Sequence, residues 1–120
     1  MWGGTFGDYE DIDVDGHGTF MASKAVGLYS GLAKSAKVIA VKCWDHAKDA
    51  FTSDIVAGIT YIHLGAQISK KPSIANFSWH CASTDALGAA AAHAILAGVH
   101  IVAAAGNSRM ETLYFPSWGE

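Results

Sequence analysis

The stretch Asp85-Ala86-Leu87-Gly88-Ala89-Ala90-Ala91-Ala92-His93-Ala94-Ile95-Leu96-Ala97-Gly98-Val99-His100-Ile101-Val102-Ala103-Ala104 changes character at one residue, Gly98. Ahead of it stand alanine and leucine, which lose little on entering a helix; behind it Val99, Ile101 and Val102 are β-branched and favour a pleated strand. Ser83-Thr84-Asp85 supplies a cap at the front of the alanine run, and the glycine supplies its stop. Ala89, Ala90, Ala91, Ala92, Ala94 and Ala97 are small enough to let the helix lie close on a sheet. Ala86 to Ser108 is also a run of 23 residues without formal charge, long enough to cross a hydrocarbon layer of roughly 30 Å as a helix. The Ala/Gly content, His93, His100 and the break at Gly98 argue against a membrane span and for helix, stop and strand.

The same alternation repeats towards the N-terminus. Ser73 to Ser78 reads as a strand, and ahead of it Ile55, Ile59, Ile62 and Ala66 recur at helical spacing, opened by Ser53-Asp54 and closed by Lys70-Lys71-Pro72. Val38-Ile39-Ala40-Val41 is a nearly continuous apolar run of the kind that accompanies burial on both faces of a strand. A first helix starts at His17, with Met21, Ala25 and Leu28 as its stripe and Gly27 and Gly31 ending it. Gly3 to Gly16, rich in glycine and in Asp8, Glu10, Asp11, Asp13 and Asp15, reads as an exposed loop. Helix, strand, helix, strand, helix, strand predicts an α/β fold with a parallel sheet and crossover helices. Chemistry in such a fold belongs beyond the carboxyl ends of the strands, after Val41, Ser78 and Ala104.

With 120 residues there is room for one small domain, and 51% apolar residues against 16% charged ones supply a core and exclude a disordered chain. A net charge of −3 with no basic run disfavours nucleic acid or an anionic membrane as partner. Two cysteines, Cys43 and Cys81, are too few for a disulfide scaffold or a thiolate zinc site; one bridge and two free thiols both stay open, with free thiols the default. His46, His63, His80, His93 and His100 have no metal-ligand spacing, so no metal site is expected. The residues after Met1 have neither a basic nor an apolar leader region, so no secretory signal is visible.

Three motifs carry chemistry. Asp11-x-Asp13-x-Asp15-Gly16 matches the first half of an EF-hand loop, but the twelfth position is Ala22 instead of a bidentate Glu, which leaves a solvated acidic loop; weak calcium binding of another kind stays open. Asp15-Gly16-His17-Gly18-Thr19 sets a histidine between two glycines at a helix start, where the backbone is uncovered and the helix N-terminus favours the neutral imidazole, as a general base needs. The same glycines also suit a plain turn with His17 as an exposed capping residue, and the pentapeptide alone leaves both readings open. Ala103-Ala104-Ala105-Gly106-Asn107 ends a strand with a carboxamide that can donate to a developing oxyanion, or with ordinary Gly-Asn turn chemistry.

Taken together these blocks resemble a subtilisin-type serine peptidase of the proteinase K kind. The resemblance runs from Asp15-Gly16-His17-Gly18-Thr19 and Ala22 through Gly31-Leu32-Ala33, Val38-Ile39-Ala40-Val41-Lys42 and Asn76-Phe77-Ser78 to Ala97-Gly98-Val99 and Ala103-Ala104-Ala105-Gly106-Asn107, in family order. It implies a subtilisin-like parallel sheet, His17 as general base, Asn107 as oxyanion-hole donor, and Ser78, Trp79 and His80 as the edge that pairs with a polypeptide substrate. It implies no cofactor beyond calcium, which the sequence does not decide, and secretion for a full-length member.

Residues 1–120 then correspond to part of a catalytic domain, from the histidine motif through the oxyanion asparagine. The family's Asp-Ser/Thr-Gly motif is absent ahead of His17, and no Gly-Thr-Ser-x-Ala string follows Asn107. None of Ser23, Ser30, Ser35, Ser53 or Ser108 has a nucleophile's context, so the 120 residues alone are expected to be inactive. The family strand that bears the aspartate lies between those matching Val38–Lys42 and Ile74–Ser78; its absence implies either an unusual pairing or open strand edges. Trp79-His80-Cys81 stand where the family has Leu-Gly-Gly, which favours a rival reading as a non-catalytic, binding or inhibitory relative; an independent ligand-binding α/β module is a third. Pro116 resembles part of a family loop near the substrate pocket. The oligomeric state is not legible.

Overall fold

The structure is a computed structural model that describes residues 1–45, 50–107 and 114–115. Along the chain run β1 (Trp2–Thr5), α1 (His17–Val26), β2 (Ala40–Lys42), α2 (Thr52–Ser69), β3 (Ser73–Phe77), β4 (Cys81–Ala82), α3 (Asp85–Leu96), β5 (Val99–Ala103) and β6 (Tyr114–Phe115). They fall into two compact units, Met1–Gly58 and Ile59–Glu120.

In the first unit β1 and β2 pair in parallel, with Trp2 opposite Ala40, Gly4 opposite Val41 and Thr5 opposite Lys42, and Phe6 N–H extends the ladder to the Lys42 carbonyl at 2.9 Å. The connection between them holds the acidic loop and α1. The opening turns of α2 approach β2 closely at Gly58, where a Cβ would collide with Cys43 Sγ and stand 3.2 Å from Val41 Cγ1. Ile55, one turn earlier, is 2% exposed and is the buried hydrophobic anchor among the described residues of this unit.

In the second unit β3 and β5 pair in parallel over five residues, Ser73 opposite Val99 through Phe77 opposite Ala103. α3 is the crossover. Its N-cap Thr84 is extended and its hydroxyl accepts from Leu87 N–H at 3.3 Å, satisfying one of the first-turn donors. Leu87, Ala91 and Ala94, at i, i+4 and i+7, are fully buried together with Ala75 and Phe77 of β3 and Val99 of β5. The alanines permit this close seating, though Ala89 and Ala92 face outward. His63 Nδ1 donates to the His93 carbonyl at 3.1 Å, tying the end of α2 to α3. β4 and β6 form a short antiparallel pair.

The three expected helices and three expected strands are all present, and the stripe Ile55, Ile59, Ile62, Ala66 is the covered side of α2, with the first two buried and the others half-buried. The suspected span is a helix, a turn at Gly98 and a strand; no helix among the described residues is long and apolar enough to cross a membrane. Three expectations need correction. Residues 3–5, read as loop, belong to β1, because pairing with β2 supplies what a Gly-Gly sequence lacks in strand propensity. The Val38–Val41 run is not buried on both faces: only Ala40–Lys42 form a strand, all half-buried, and Ile39 is 53% exposed. α1 has no buried residue: of its stripe Met21 is half-buried, and Ala25 and Leu28 are exposed. As to the sheet, β2 has β1 and β3 has β5 as ladder partner, so among the described residues each keeps one open edge.

Candidate functional site

His17 is the first residue of α1, exposed, immediately after Gly16 at φ 81°. That left-handed conformation is one a side chain resists, so glycine is what lets the chain turn sharply into the helix at the histidine. Glycine brings no capping side chain, however, and the first-turn N–H groups still need acceptors. They find them upstream. Asp13 Oδ1 accepts from Gly16 N–H at 3.0 Å, while its Oδ2 accepts from Thr19 N–H at 2.7 Å and Thr19 Oγ1 at 2.6 Å. Asp15 Oδ2 accepts from His17 N–H at 3.3 Å. The Thr19 bonds, first the hydroxyl's and then the amide's, hold the Asp13 carboxyl below the usual carboxylate range.

The acidic loop is organised around a lysine. Lys42 Nζ, from β2, donates to the Ile12 carbonyl at 2.8 Å and the Glu10 carbonyl at 3.1 Å, and pairs with Asp45 at 2.9 Å. Asp11 Oδ1 accepts from Thr5 Oγ1 at 2.6 Å. The carboxylates of the EF-hand-like half-motif thus serve four different residues, Thr5 for Asp11, Gly16 and Thr19 for Asp13, and His17 for Asp15. Among the described residues no three His, Cys, Asp or Glu side chains form a group that holds a metal ion. Sequence reasoning missed the capping role of Asp13; the signal was a helix whose cap position is glycine, with an aspartate three residues ahead of it.

Behind the loop, Tyr9 Oη donates to Asp54 Oδ2 at 3.3 Å, and Cys43 lies against Gly58. Burial, then the Asp54 charge, pushes the Cys43 thiol up to about 12; burial also raises Cys81. Both cysteines are free thiols. A thiol held neutral in this way is a packing group and not a nucleophile.

The other site residues lie in the second unit. Ser78, Trp79 and His80 follow β3 directly, with Ser78 Oγ accepting from Asn76 Nδ2 at 2.8 Å and His80 exposed. Trp79 is half-buried, its ring centroid 5.1 Å from Phe77 and 5.7 Å from Phe115. The bulk that replaces the family's leucine is therefore taken up in an aromatic cluster. Asn107 follows β5 after Ala104-Ala105-Gly106, with Gly106 at φ 82°, and is exposed. Both segments stand past the carboxyl ends of parallel strands, where the α/β pattern puts chemistry. His46, Ser108 and Pro116 lie outside the described residues.

A profile of the Subtilase family matches residues 2–118. A subtilisin-like protease of Coccidioides posadasii is 38% identical over 113 residues, covering 92% of this chain and 28% of the relative. Subtilisin-like protease 1 of Arthroderma otae is 39% identical over 106 residues, covering 87% of this chain and 22% of the relative. The crystal structure of a cold adapted subtilisin-like serine proteinase superposes with a TM-score of 0.80 at 32% identity, over 90% of this chain and 39% of that one. The chain thus spans about a quarter of the length of these curated relatives.

Proposed function

The chain belongs to the subtilase family of serine peptidases, and from that premise we propose that it is the central part of a serine endopeptidase domain that cleaves polypeptides. His17 acts as the general base that takes the nucleophile's proton, and Asn107 donates its carboxamide to the oxyanion of the tetrahedral intermediate. Ser78, Trp79 and His80 offer the backbone edge along which the substrate lies extended. The observation that carries this reading is the histidine set between Gly16 and Gly18 on the first residue of an exposed helix, inside a family match over nearly the whole sequence.

The 120 residues alone do not hydrolyse peptides in this account. Without a nucleophilic serine no acyl-enzyme forms; the loss is roughly 10⁶ in rate, the value known for subtilisin itself. Without the aspartate the imidazole tautomer is unset, at a cost of about 10⁴ in the chymotrypsin-type case. The share of the relatives' length spanned here supports a longer polypeptide that supplies both motifs. Reading the transcript beyond the codons for Met1 and Glu120 tests this. In-frame Asp-Ser/Thr-Gly upstream and Gly-Thr-Ser-x-Ala downstream are the expected result; a frame that closes at both ends overturns the peptidase reading in favour of a non-catalytic relative.

A further inference from the structure

We propose that Asp13 is the positioning residue of His17, its carboxylate gripping the backbone on both sides of the histidine and so fixing where the imidazole stands. The assignment rests on the reading of His17 as general base.

The helix start creates the need. Gly16 turns the chain and leaves the cap position without a side chain, and the first-turn donors of α1 point at nothing of their own. Asp13 answers from outside the helix. One oxygen takes the Gly16 amide, the residue before His17; the other takes both the amide and the hydroxyl of Thr19, two residues after it. Three bonds of 3.0 Å or less to one carboxylate leave the intervening backbone little freedom, and those made by a charged acceptor are the strong kind.

Asp13 is itself held in place. The Ile12 carbonyl, one residue before it, and the Glu10 carbonyl both accept from Lys42 Nζ, whose backbone belongs to the β1–β2 ladder. A continuous path therefore runs from the sheet through Lys42, the loop and Asp13 to the first turn of α1. Lys42 also favours the charged form of Asp13, after the stronger effect of the Thr19 and Gly16 bonds. A position that must hold a base to within a fraction of an ångström is better served by such a frame than by the loop's own stiffness.

Isotope-labelled 120-residue chain permits a direct test by NMR, read at the Gly16 and Thr19 amides and the His17 ring. As the pH falls from about 6 to about 3, both amides should move together with one midpoint, below the ordinary aspartate value of about 3.9. Asp13→Asn should abolish that titration, shift both amides at neutral pH and give the His17 ring signals a second, broadened population; Asp15→Asn should leave the Thr19 amide in place. Amides that fail to titrate together, or a His17 ring unaltered by Asp13→Asn, would overturn the assignment. Should Asp13→Asn not fold, the titration of the unsubstituted chain still decides it. Failure of the peptidase reading would show up separately, as a missing nucleophile motif in the transcript, and would leave these resonances as they are.

Discussion

Gly58→Ala is a sharp test of how α2 is seated. At an exposed helix position the change would raise stability by about 1 kcal/mol, since alanine is the better helix former. Here a Cβ collides with Cys43 Sγ and stands 3.2 Å from Val41 Cγ1, and both neighbours belong to the strand side of a packed contact. Forcing a methyl into such a site costs about 1–3 kcal/mol, so after the helix gain is subtracted the net effect runs from near neutral to a loss of about 2 kcal/mol. Cys43→Ala removes the atom in the way. The double variant should recover at least about 1 kcal/mol relative to the sum of the singles, a coupling typical of residues in contact. Urea unfolding of the four proteins, followed by tryptophan fluorescence, reads the midpoints, and the slopes should stay equal if only native-state packing changes. A Gly58→Ala variant more stable than the parent, or strictly additive changes, would refute the packing argument.

Three other expectations rest on the packing and capping of the same fold. Leu87→Ala empties the centre of the second unit, where Leu87 is 0% exposed, and should cost about 3–4 kcal/mol in urea unfolding. Thr84→Ala removes the hydroxyl that accepts from Leu87 N–H and should cost about 1 kcal/mol, with Thr84→Ser near neutral. With its thiol pushed up to about 12, Cys43 has about 10⁻⁴ thiolate at around pH 8, so iodoacetamide should leave it unmodified in the folded chain until denaturant is added. Its labelling rate should rise tenfold per pH unit, because a raised value means the thiolate population is still growing throughout that range; a pH-independent rate would contradict burial as the cause.

Some of this structure is written locally and some is not. The change at Gly98 from alanine to β-branched residues marks α3 and β5 because both elements follow their own propensities. β1 was illegible for the opposite reason: Trp2-Gly3-Gly4-Thr5 has no alternation, and its strand exists through pairing with β2. The Met21, Ala25, Leu28 stripe has a helical period, yet period alone does not say whether a layer covers it, and no residue of α1 is buried. At the site, Gly16 was readable because the sharp entry to the helix needs a left-handed residue there, whereas Gly18 sits in the helix with no such need. Asp13 was not, since its partners Gly16 and Thr19 become neighbours only once the loop has closed on Lys42.

In the proposed enzyme His17 serves as the base of a serine nucleophile supplied from outside these 120 residues. Labelling with a serine-directed phosphonate tests it most directly, applied to the 120-residue chain, to the longer in-frame polypeptide and to that polypeptide carrying His17→Ala. The longer polypeptide should label, its His17→Ala form should label far more slowly, in keeping with the roughly 10⁶ loss of turnover known for subtilisin, and the chain alone should not label. Labelling of the isolated chain, or a longer polypeptide that labels equally well without the imidazole, would contradict it.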